Sequence, residues 1–203
     1  MPERAENNPL NEKDTKKLVN APNIHKGFKA MLYLVLGTGI SPDEALAIKL
    51  QDIDYANNCI RVYDSWTGRT RAVKLNLSIT RAITDYQNGR RDSSERLFDV
   101  EKRQAITRLY EVSQQHLGRP ISWTAVRRTW AVLGFKNGLG LKDMMESSGA
   151  TAQQLAVWSL WDKSDCWKKD PPDFRGQPSP TVTFPLLRMH FPLVPKNMPS
   201  YCL

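Results

Sequence analysis

Residues 32–54 read LYLVLGTGISPDEALAIKLQDID, and the way this stretch breaks in the middle decides the fold. From Ala30 to Leu36 the chain is almost continuously apolar, too long for an ordinary strand. Closed by Gly37 and Gly39, the run reads as a buried helix. The chain then restarts at once. Ser41 is a helix cap, Pro42 fits the first helical position, and Glu44 stands three residues after the cap, where its carboxylate can return to the cap's own N–H. A wholly buried helix followed at a tight corner by a capped one opens a mainly helical architecture.

Outward from this corner the signals stay local. Upstream, LNEKDTKKLV (10–19) has Asn11 as a cap, Asp14 in the first turn and bases toward its end, which complements a helix dipole. Downstream, CIRVY (59–63) and TRAVKL (70–75) are β-rich runs around a Thr67-Gly68 turn and predict an antiparallel hairpin. SITRAITDYQNG (78–89) and EKRQAITRLYEVSQQHLG (101–118) show helical spacing and end in glycine. The second is expected to bury Ile106, Leu109, Val112 and Leu117. Three further helices are predicted at 123–136, 141–147 and 152–161. In the first, Val126, Trp130 and Leu133 form the buried face and turn Arg127 and Arg128 to its flank. The fold class is α+β, mainly helical, with a small antiparallel sheet.

The chain has 203 residues, which suits one core of roughly 150 to 200 residues without metal or disulfide. Residues 1–162 are expected to form that domain. Residues 163–203 hold eight of the thirteen prolines and read as an extended or disordered tail. Cys59, Cys166 and Cys202, with His25, His116 and His190, fall in no ligand-like or disulfide spacing, so no metal and no cofactor are indicated. No apolar run of about 18 residues and no secretory pattern occur, and a soluble, cytoplasmic protein with no membrane partner is expected. A net charge of +8 and a pI near 9.5 favour a polyanionic partner. Between Val112 and Lys142 stand Arg119, Arg127, Arg128, Lys136 and Lys142 and no acid, where an evenly solvated surface would mix its signs.

In order and wording, the block 32–54, the hairpin and TAVRRTWAVLGFKNGLGLKDMMESSGAT (124–151) resemble the catalytic domain of tyrosine recombinases, the phage integrases among them. The resemblance covers residues 10–161 and rests on Thr38, Gly39 and Glu44, on Arg127 with Thr129, on Asn137-Gly138 and on Gly149 at matching spacings. It implies the recombinase fold and double-stranded DNA as partner. It further implies a reaction in which a tyrosine attacks a phosphodiester while two arginines, histidines and a lysine handle the charge and the protons.

Most of the groups that this resemblance calls for are missing. The first arginine falls on Ser41, the hairpin lysine on Trp66, the histidine ahead of the kept Arg127 on Thr124, and the second histidine on Ala150. The tyrosine falls on Ser159, or on Trp158 with a one-residue shift, and no tyrosine lies between Tyr110 and Tyr201. Loss of one oxyanion donor commonly costs about 10²- to 10³-fold in rate, so the joint loss implies that cleavage is abolished. The leading expectation is a noncatalytic, nucleoid-associated DNA-binding protein of recombination or regulation. An active recombinase completed in trans or by Tyr201 is the alternative, and a module that docks a second copy or an active recombinase through its last helix and tail is another.

For DNA contact the sequence offers Arg127, Arg128, Lys142 and the hairpin bases Arg69, Arg71 and Lys74. Each has a plainer reading. The arginine pair can be met by an internal carboxylate such as Glu44 or Asp143, and the hairpin bases can guard an edge strand. Trp123, Trp130, Trp158 and Trp161 are expected in the core rather than as stacking platforms, and Ser159 has no visible base to make it a nucleophile.

Overall fold

The computed structural model describes residues 5–65, 67–90 and 94–159. Trp66, Trp161, Tyr201 and the proline-rich segment lie outside the described residues. In chain order the elements are α1 (Glu12–Val19), α2 (Lys26–Thr38), α3 (Pro42–Ala47), β1 (Ile53–Asp54), β2 (Cys59–Asp64), β3 (Arg69–Lys74), α4 (Leu77–Gln87), α5 (Lys102–Leu117), α6 (Trp123–Lys136), α7 (Leu141–Ser148) and α8 (Ala152–Ser159). The fold is mainly helical with one small antiparallel sheet.

Helix α2 is the axis of the core: Phe28 and every residue from Ala30 to Leu36 are buried, because α1, α3, α4 and α6 all pack around it. Gly37 does not end this helix, as its sequence suggests, but sits inside it. Gly39 does the work, with φ +73° and its N–H on the Val35 carbonyl. A Cβ there would lie 2.3 Å from the Trp130 ring, so the corner needs glycine both for its left-handed backbone and for the closeness of α6. One residue later Ser41 caps α3 through the reciprocal box: the Glu44 N–H donates to Ser41 Oγ at 3.1 Å, and the Ser41 N–H donates to Glu44 Oε2 at 2.7 Å.

The sheet runs β1-β2-β3, with the short strand β1 beyond the predicted hairpin. Ile60 pairs with Val73 and Val62 with Arg71, so the face that buries Ile60, Val62 and Val73 also carries Arg71 inward. On α5 the buried residues are Ala105, Leu109 and Ser113. Ile106 is 51% exposed against 0% for Leu109, a correction to the expected face: Ala105 and Ser113 take the buried places beside Leu109, Ser113 donating to the Tyr110 carbonyl and accepting from the Ile121 N–H, while Val112 and Leu117 are partly buried against the core.

The first described residues are stitched to α6 over great sequence distance. Glu6 pairs with Ile121 in a parallel bridge, and Arg119 binds the carboxylates of Glu6 and Asp14. The Leu10 N–H donates to Thr129 Oγ1 at 2.8 Å across 119 positions. Among the described residues, no helix is long and apolar enough to cross a membrane.

Candidate functional site

The corner at Gly39 and the end of α7 before Gly149 meet beside α6. Ser122 caps this helix by accepting from the Ala125 N–H, and Trp123, Val126 and Trp130 anchor it in the core. Leu133 is only partly buried. Burying that face carries Arg127 toward the α2–α3 corner and the C-terminus of α7, not out to a solvated flank. Its Nε donates to the Gly39 carbonyl at 2.9 Å, and its Nη2 donates to the Ser148 carbonyl at 3.3 Å. The Trp158 ring of α8 covers it, with the guanidinium carbon 4.7 Å from the ring centroid. Burial pushes its pKa below the ordinary arginine value. The Glu44 carboxylate pulls the other way, and the Arg71 charge adds to the lowering.

The placement of Arg127 on a solvated flank therefore needs correction. Arg127 is neither a surface cation nor the salt-bridge partner of Glu44 or Asp143; its hydrogen bonds go to carbonyls at helix ends, where the helix dipoles favour a cation. Arg128 turns the other way and donates to the Asn7 carbonyl at 2.8 Å, held by the N-terminal segment.

The carboxylate of Glu44 is taken by Arg71 instead, Nη1 to Oε1 at 2.7 Å, with both side chains largely buried at 17% and 13% exposure. Arg71 Nε also donates to the Ser147 carbonyl at 3.2 Å. Gly149, at φ +69°, passes so close that a Cβ would lie 2.9 Å from the Arg71 guanidinium. The sequence groups Arg71 with Arg69 and Lys74, as DNA contacts or as edge-strand charges. Strand alternation with Val73 separates it from Lys74, which faces the other way, while Arg69 shares its face but lies exposed at the start of the strand.

The substituted positions among the described residues lie at or beside α3, α6, α7 and α8. Ser41 is spent on its cap, Thr124 is exposed on the first turn of α6, and Ala150 is buried after α7. Ser159 is the last residue of α8, and Trp158 beside it is buried against Arg127. Trp123 and Trp130 are core residues, as expected. Lys142 is exposed on α7 within 3.9 Å of Glu146. Among the described residues no group of acids, histidines and cysteines could hold a metal ion.

Comparison with known proteins gives this geometry its context. A tyrosine recombinase XerA of Saccharolobus solfataricus is 27% identical over 146 residues, covering 72% of this chain and 49% of that protein. The chain thus spans about half the length of this curated relative. Among solved structures, a crystal structure of XerA recombinase superposes with a TM-score of 0.65 at 19% identity, over 78% of this chain and 61% of that one. The pre-cleavage complex of XerH site-specific recombinase bound to difH substrate gives a TM-score of 0.61 at 16% identity, over 79% and 53%. At these identities the structures speak for the fold, which is the one expected from the sequence. The model of the phage integrase family matches residues 8–150, most of the described structure with the Arg127 corner inside it, and the chain belongs to that family.

Proposed function

We propose that this protein binds double-stranded DNA through its phosphates and does not cleave it, serving recombination or its regulation beside an active recombinase. The observation that carries this reading is the contact between Arg127 and Trp158. The one arginine kept from the reactive set is stacked under an indole, and an indole has no oxygen with which to attack phosphorus. The other substitutions agree with it: Ser41 is committed to the capping box, and neither Thr124 nor Ala150 can donate or accept protons as a histidine does. Phosphate affinity needs no nucleophile. The exposed bases Arg69, Lys74 and Lys142 would add the long-range attraction on which such binding rests.

The test is one incubation with nicked duplex DNA read on two gels. On the native gel, binding is expected to weaken with salt and to depend little on base sequence. On the denaturing gel no protein–DNA adduct is expected. An adduct overturns the noncatalytic reading, and its loss in Tyr201→Phe would make the tail the source of the nucleophile. Absence of any salt-sensitive shift leaves the fold serving protein contacts instead.

A further inference from the structure

We propose that Arg71, arriving on β3, supplies the guanidinium that α3 lacks at position 41, so that one phosphate group is held between Arg71 and Arg127. This rests on the phosphate-binding reading above and gives it a particular seat. The two side chains come from different elements yet converge. Arg71 donates to the Ser147 carbonyl and Arg127 to that of Ser148, the adjacent residue at the end of α7.

The charge of this cluster does not close on itself. Two guanidinium groups face one carboxylate, and Glu44 divides its oxygens between Arg71 and the Ser41 N–H. Among the described residues, Arg127's own hydrogen bonds go only to carbonyls. Nη2 of Arg71 is buried with no hydrogen-bond partner among them. Burying a cation without a counter-charge is costly, and burying an unpaired N–H adds to it. A phosphate oxygen answers both, because it brings negative charge and accepts from planar N–H forks.

The backbone keeps the seat narrow. Gly149 leaves room for the Arg71 guanidinium where a Cβ would stand 2.9 Å from it, and β3 carries Arg71 inward opposite Val62. A simpler account would make Arg71 a tie between β3, α3 and α7. The two accounts differ in what removal of Glu44's charge does. A tie is weakened, whereas an anion seat loses its competitor and binds better.

Three variants of the full chain separate them: Glu44→Gln, Arg71→Lys, and Arg71→Gln with Glu44→Gln. Glutamine at 44 still accepts the Ser41 N–H, so the cap survives, and the double variant leaves no unpaired carboxylate. Two probes are used at matched ionic strength. One is inorganic phosphate against chloride, read as the thermal midpoint, and the other is a duplex DNA, read as the salt dependence of binding. Phosphate is expected to raise the midpoint of the native protein, more in Glu44→Gln, and less in Arg71→Lys and the double variant. On DNA the double variant should flatten the log-log salt slope by about 0.9, the loss of one phosphate contact.

An unchanged slope and an unchanged phosphate effect in a folded double variant overturn the seat while DNA binding by the native protein stands. A phosphate effect that needs Arg71 in a protein that ignores DNA upholds the seat and overturns the DNA reading. No response of the native protein to either probe overturns both.

Discussion

Arg127→Ala removes more from the fold than a surface arginine would. The variant loses the 2.9 Å bond to the Gly39 carbonyl, the longer bond to the Ser148 carbonyl and the stack on Trp158. A charged donor contributes about 1.5–3 kcal/mol per bond and a desolvated cation–π contact up to about 2 kcal/mol. The 3.3 Å bond belongs at the low end, and relieving the burial of a cation gives part of this back. A net loss of about 3 kcal/mol follows, which in a domain of this size lowers the thermal midpoint by about 6–12 °C. Urea unfolding followed together by far-ultraviolet circular dichroism and tryptophan fluorescence measures it, since Trp130 and Trp158 flank the deleted group. Arg127→Lys should recover less than half, because an ammonium cannot bridge both carbonyls and lie flat on the indole. A loss below about 0.5 kcal/mol in the alanine variant would refute the internal role and return Arg127 to the surface, where such substitutions are nearly neutral.

Three further outcomes follow from the same geometry. Ser41→Ala should lower stability by about 1 kcal/mol in urea unfolding, through the lost bond to the Glu44 N–H. Gly39→Ala should cost about 3 kcal/mol or more, read as a fall in the urea midpoint, because strain at φ +73° adds to a clash with the fixed Trp130 ring. Leu109→Ala should cost about 2–5 kcal/mol while Ile106→Ala stays within about 1 kcal/mol, and equal effects would mean that the α5 face is wrongly placed.

What could be read from the sequence was what local chemistry controls. The Ser41 box, the Asn11 cap, the Thr67-Gly68 hairpin and the span of α6 need only neighbours within four residues, and each stands where its pattern puts it. Gly37 and Ile106 depart from what their spacing predicts because packing decides them: α2 is surrounded on all sides, and Ala105 and Ser113 take the core places on α5 beside Leu109. The hydrogen-bond partners of the arginines are not legible for a related reason. Arg127 and Arg71 owe their roles to carbonyls of Gly39, Ser147 and Ser148, and a backbone acceptor leaves no mark in residue type. Strand β1 has two residues and exists only through its pairing with Cys59 and Ile60.

The stitching of residues 6–14 to α5, α6 and their connection bears on how the chain folds as it is made. Leu10 meets Thr129 across 119 positions and Arg128 meets Asn7 across 121, so this seam is among the contacts of highest order in the molecule. At about 5–20 residues per second, the segment emerges from the ribosome on the order of 6–24 s before its partner helix exists. Throughout that interval the Leu10 N–H lacks the Thr129 hydroxyl to which it donates in the finished fold. Closing this seam joins a segment made early to one made late, and a nascent chain halted before α6 would carry residues 6–14 without these partners.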